Sequence, residues 1–65
     1  MTPEDMKRRR AVLRWTQARL AEAMGVTWNT VARWETGQRR IPEMAIKLLA
    51  YLERDRDLRR RTVKR

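Results

Sequence analysis

Residues 16–42 read TQARLAEAMGVTWNTVARWETGQRRIP, and this stretch decides the fold. It holds two short helical patterns joined at Gly25. Thr16 caps the first, and Leu20, Ala21 and Met24 recur at helical spacing on its inner face. Gly25 stops that helix, because glycine enters the left-handed region without a Cβ penalty. Val26 follows as a buried turn residue. Thr27 caps the second pattern, whose inward residues are Val31 and Trp34. Gly37 ends it, and Gln38 to Ile41 form a loop.

The flanks extend the helical reading. Thr2-Pro3-Glu4-Asp5 is a helix start: a capping threonine, a proline suited to the first position, and two acids at the positive end of the dipole. The first helix is expected from Pro3 to about Leu13, with Met6, Arg10 and Leu13 on one face. An arginine in that stripe needs a partner. Downstream, Pro42 is expected to open a fourth helix, with Ile41 a poor cap before it. Ile41, Ala45, Leu48 and Leu52 form its expected inner stripe, flanked by Met44 and Leu49. From Glu53 onward acids and arginines alternate. Asp55/Arg59 and Asp57/Arg61 are i,i+4 pairs that support continued helix, and Arg61 to Arg65 are expected to fray. The predicted fold class is all-α, a compact four-helix domain over residues 1–55, with an extended last helix possible and a basic C-terminal tail at 56–65.

Composition narrows the function. Sixty-five residues make one domain with a small core. The absence of Cys and His excludes disulfides and Cys/His metal sites, and no metal or cofactor is expected. Lys plus Arg number 17 against 8 Asp plus Glu, a net charge of +9. Fourteen of the 17 are arginine, whose planar fork suits phosphate and guanine. Such a balance points to nucleic acid, to an anionic membrane surface, or to a merely solvated cationic face. No apolar run is long enough for a bilayer span or a signal peptide, so a cytoplasmic place and no membrane partner are expected. No convergent carboxylates and no phosphate-cradling glycine loop are present, and an enzyme is not expected.

Gln17, Leu20-Ala21, Gly25-Val26, Val31, Trp34-Glu35, Gly37 and Pro42 together resemble the helix-turn-helix of the Xre/Cro-type, lambda-repressor-like family. Each position has a physical reason: Ala21 is small where two helices cross, Gly25 turns, and Leu20, Val31 and Trp34 fill the wedge. The helix-turn-helix lies at 16–36, and with the flanking helices the resemblance covers residues 3–52. It implies a prokaryotic or phage protein whose third helix enters the DNA major groove. It implies a phosphate contact at Gln17 and a partly buried, structural Arg10–Glu35 ion pair. It implies a homodimer on a double-stranded operator. Relatives often carry a fifth helix for dimerisation, and this chain departs there, since a charged segment follows Leu52.

The outward residues of the third helix are Trp28, Asn29, Ala32 and Arg33, with Thr27 and Thr30 at the margins. Arg33 fits bidentate reading of guanine, against a phosphate contact or a solvated charge. Asn29 fits adenine, against a capping or solvent role. Trp28 either packs on a thymine methyl or sugar edge, or folds back beside Thr16 or Gln17. Trp34 is read as core and Trp15 as its rim. Arg39 and Arg40, in the loop after the third helix, are placed for phosphates. Arg14, like Arg8 and Arg9, either joins them or lies on a solvated face. Ile46, Leu49, Ala50 and Tyr51 are the candidate dimer patch, against scattered exposed apolar residues. The expected function is a DNA-binding transcriptional regulator, a dimeric repressor. The alternative is an antitoxin bound to a protein toxin through the same fold. RNA or nonspecific nucleoid binding would need stacking aromatics beyond Trp28.

Overall fold

The computed structural model describes residues 1–63, with side chains described through Arg59. It contains four helices and, among the described residues, no strand: α1 (Pro3–Leu13), α2 (Gln17–Met24), α3 (Trp28–Thr36) and α4 (Glu43–Val63).

The punctuation read from the sequence sets the first three helices. The Thr2, Thr16 and Thr27 hydroxyls accept from the N–H groups of Asp5, Arg19 and Thr30, each three residues on. Each satisfies an N–H that would otherwise lack an acceptor at a helix start. Gly25 and Gly37 end α2 and α3 at φ 75° and 82°. At Gly25 the requirement is conformational alone, since a Cβ there would meet nothing. Val26 N–H then reaches back to the Ala21 carbonyl at 3.0 Å, and Gln38 N–H to that of Arg33 at 2.9 Å. These bonds close the last turns. Arg14 does the same work at the end of α1 with φ 61° and ψ 35°, although it has a Cβ.

The core joins Met6 and Leu13 of α1, Leu20, Ala21 and Met24 of α2, and Val31 and Trp34 of α3. Ile41, Ala45 and Leu49 complete it. Trp15 and Val26 are partly buried at its rim. Helix α2 packs on α3, α1 on α3, and α4 on α2.

The fourth helix differs from its expected form in two ways. It starts at Glu43, and Pro42 serves as the residue before it, its carbonyl accepting from Ala45 and Ile46 at 3.0 and 3.3 Å. Its buried line is Ala45 and Leu49, with Leu48 and Leu52 only partly buried and Met44 exposed. The expected stripe took its phase from Ile41. That residue is buried, but it lies in the loop before Pro42, where the helical angle does not apply. Leu49 is therefore 0% exposed and unavailable as a dimer contact, and Ile46 is partly buried against the core. Ala50 and Tyr51 remain exposed.

Beyond Leu49 no described residue of α4 is fully buried, yet the helix continues to Val63. The expected boundary at 55/56 falls inside it. At about 1.5 Å per residue the 21-residue helix is roughly 31 Å long, within overall extents of 43 × 19 × 18 Å. Arg59 pairs with Asp55 at 3.1 Å, as the i,i+4 spacing suggests. The Asp57/Arg61 pair and the fraying of the last residues lie outside what is described of side chains and terminus.

Candidate nucleic-acid interface

The site is built on one buried carboxylate. Glu35, late in α3, has a side chain only 2% exposed. Its Oε2 accepts from Arg10 Nε at 2.6 Å, and its Oε1 from Arg10 Nη2 at 3.1 Å and from Gln17 Nε2 at 3.0 Å. Arg10 Nη1 donates in addition to the Trp15 carbonyl at 2.7 Å. One bidentate pair thus fixes α1, the turn after it, the start of α2 and the end of α3. No buried side-chain nitrogen or oxygen among the described residues lacks a partner. Burial of a charge pair is tolerable only under such full satisfaction. The pair is a brace holding α3 at a set angle to α1 and α2.

With that brace, α3 turns one side to the core and the other to solvent. Val31 and Trp34 point inward, while Asn29 and Arg33, one helical turn apart, are exposed. Trp28 is 56% exposed at the first position of α3, so it does not fold back fully onto the protein. The Thr27 and Thr30 hydroxyls lie 3.0 Å apart and bond to each other, and Thr27 also caps the helix. Ala32 is half-buried. After Gly37, the N–H groups of Gln38 and Arg39 both bond to the Arg33 carbonyl, which folds the loop bearing Arg39 and Arg40 against the end of α3.

The arginines before α4 divide into two groups. Arg8, Arg9, Arg10 and Arg19 pair with Asp5, Glu53, Glu35 and Glu22. Arg14, Arg33, Arg39 and Arg40 are exposed and enter no ion pair among the described residues. These four surround the ends of α3 and the α1–α2 turn. Both acids of residues 16–42, Glu22 and Glu35, are already engaged, the second below the surface. An anion approaching α3 meets positive charge with little local compensation.

Gln17 is tied to Glu35 through its side-chain nitrogen. It keeps its second amide N–H and its backbone N–H at the start of α2, where helix geometry leaves donors without an internal acceptor.

Three features had been missed in the sequence. Arg9 makes a bidentate bridge to Glu53, at 2.8 Å from Nε and 2.5 Å from Nη2, tying α1 to α4. The Glu53 bond raises the Arg9 pKa further above its ordinary value. The partners are 44 residues apart, beyond any local spacing rule. The Arg19 guanidinium lies 5.0 Å from the Trp15 ring centre, an i,i+4 contact that the spacing could have shown. The left-handed backbone of Arg14 had no signal, since no glycine marks it.

The description "Helix-turn-helix" belongs to a family model that matches residues 6–58, most of the chain and all four helices in part or whole. The chain belongs to the Xre/lambda-repressor-like helix-turn-helix family. No curated protein and no solved structure matches it significantly. As a helix-turn-helix protein of this family it is a DNA-binding regulator, with α2 and α3 as the motif's two helices. Among the described residues no helix is long and apolar enough to cross a membrane. No group of three His, Cys, Asp or Glu that could hold a metal occurs there either.

Proposed function

We propose that the protein is a sequence-specific transcriptional repressor that binds double-stranded operator DNA as a homodimer. Helix α3 lies in the major groove of each half-site. Arg33 donates two parallel hydrogen bonds to guanine O6 and N7, and Asn29 reads adenine. Trp28 packs its exposed ring against a thymine methyl or sugar edge. Thr27 and Thr30 touch the base edges at the margin of the groove, sharing hydroxyls already bonded to each other. Arg39, Arg40 and Arg14 meet phosphates, as does Gln17 from the N-terminus of α2. Repression follows from occupancy, since a bound dimer covers promoter DNA.

The observation that supports this most is the division of the arginines. Those near the exposed face of α3 are uncommitted, whereas those elsewhere in α1 and α2 are spent on carboxylates. Fluorescence anisotropy on labelled duplex at increasing salt tests it. With 6–10 phosphate contacts per dimer, affinity falls roughly 10³–10⁵-fold between 50 and 200 mM salt. Binding that is nearly flat over that range rejects the reading.

A further inference from the structure

A groove opens beside the end of α3, where the loop that follows Gly37 runs between the starts of α1 and α4. Its volume is about 830 Å³, within the range of small-ligand sites. Segments far apart in the sequence wall it. Pro3, at the start of α1, lies against Gly37, where an added Cβ would stand 3.6 Å from Pro3 Cγ. Ile41 and Ile46 pack on the core and also line the groove, so its aliphatic floor is continuous with the core. Arg39, Arg40 and Lys47 line it as well, and all three are exposed. None of them enters an ion pair among the described residues. Glu43, the one acid in the lining, stands four residues before Lys47 and makes no bridge to it. The groove therefore sets apolar surface beside unspent positive charge.

We propose that this groove binds a small amphipathic carboxylate, an organic acid with an aliphatic body, and that the acid competes with DNA. The site stands on the groove alone. The competition rests on the phosphate role proposed for Arg39 and Arg40. Charge complementarity selects the occupant. The aliphatic body covers Pro3, Ile41 and Ile46, and the carboxylate meets the cations at the rim. A neutral apolar molecule leaves those cations unanswered, and a bare small anion leaves the floor in water. An acid held there engages positive charge that also serves the DNA backbone. The two ligands then oppose each other, by the same factor in both directions. The chain thus releases DNA as the acid accumulates.

Octanoate tests this on the full chain, with acetate as the charge-only arm and octanol as the tail-only arm. In amide-resolved NMR spectra, octanoate is expected to give saturable shifts at Ile41, Ile46 and Lys47. Acetate and octanol are expected to bind about tenfold more weakly or worse. Lys47→Glu, at an exposed position outside the proposed DNA contacts, is expected to weaken octanoate about tenfold while circular dichroism shows the fold retained. Competition is read by anisotropy of labelled duplex, with octanoate at about ten times its dissociation constant and equal acetate as the ionic-strength control. Apparent duplex affinity is expected to fall about tenfold, and in Lys47→Glu the same octanoate concentration should have a much smaller effect. No saturable shift at the groove overturns the site, as does equal binding of acetate or octanol, or unchanged octanoate affinity in Lys47→Glu. Saturable octanoate binding with unchanged duplex affinity overturns the competition. A chain that takes octanoate but ignores every duplex removes the functional reading, and the competition with it, and leaves the site.

Discussion

The helix-turn-helix and the fourth helix are built under different constraints. In residues 16–37 every helix is short, capped by threonine and stopped by glycine. The rotation of each helix is fixed within two turns, and the inner faces cannot drift. Helix α4 runs 21 residues with no stop among them and with its first apolar residue outside the helix. Its rotation is set by packing against the core, chiefly on α2. The two Arg–Glu bridges between helices repeat the contrast. Arg10–Glu35 is enclosed, at 15% and 2% exposure, and defines the angle of α3. Arg9–Glu53 holds α4 to α1 with both side chains 30% exposed, where solvent weakens it.

The largest test of this contrast is Glu35→Ala. It strands the Arg10 guanidinium and should cost about 3–5 kcal/mol in denaturant unfolding. Glu53→Ala should cost no more than about 1 kcal/mol, since its bridge is only partly buried and solvent reaches it. Equal losses would remove the distinction between brace and tie. Next comes the phase of α4. Leu49→Ala should lose about 2–5 kcal/mol through the cavity it leaves, and Leu48→Ala clearly less. The reverse order would restore the stripe expected from the sequence.

On DNA, Arg33→Ala should relax preference at one base position by about 1–3 kcal/mol, read by competition among duplex variants. Arg39→Ala should weaken all duplexes alike and reduce the salt slope by about one. A smaller effect is expected at Arg14. Relief of its left-handed backbone by Arg14→Gly, less the entropy that glycine adds to the unfolded chain, should raise stability by about 0.5 kcal/mol. Duplex affinity should fall in the same variant. Gain without loss of affinity would show that the strained arginine serves no DNA contact.

The smallest effect concerns acid. Hydrogen bonds from Thr2, the backbone one foremost, hold the Asp5 carboxyl below its ordinary range, with Arg8 adding to them. A depressed folded value means a contribution present above the unfolded carboxylate value and lost as pH falls through the folded one. Asp5→Asn should flatten that part of the melting-temperature profile, lowering the melting temperature slightly at neutral pH and leaving it nearly unchanged at acid pH.

The same contrast explains how much was legible. The bounds of α1, α2 and α3, the inward placement of Leu20, Val31 and Trp34, and the exposed Asn29/Arg33 face all follow from caps, stops and spacing. Such signals are local and act over three or four residues. The phase of α4 was misjudged because Ile41 fills the core from a loop, and a loop residue carries no angular information. Arg9–Glu53 joins distant parts of the chain, and only the folded arrangement of the helices brings the two side chains together. Gln17 shows a further limit. Its position at the start of α2 was legible, but its bond to Glu35 depends on where α3 crosses.

The central claim is that the exposed face of α3 reads a defined sequence. Selection of bound duplexes from a random pool tests it most directly, with Arg33→Ala selected in parallel. The account predicts an enriched palindrome for the wild type, its half-sites about one helical turn apart, and loss of one symmetric base position for the variant. Enrichment of no sequence, or the same palindrome at full strength from Arg33→Ala, would contradict it.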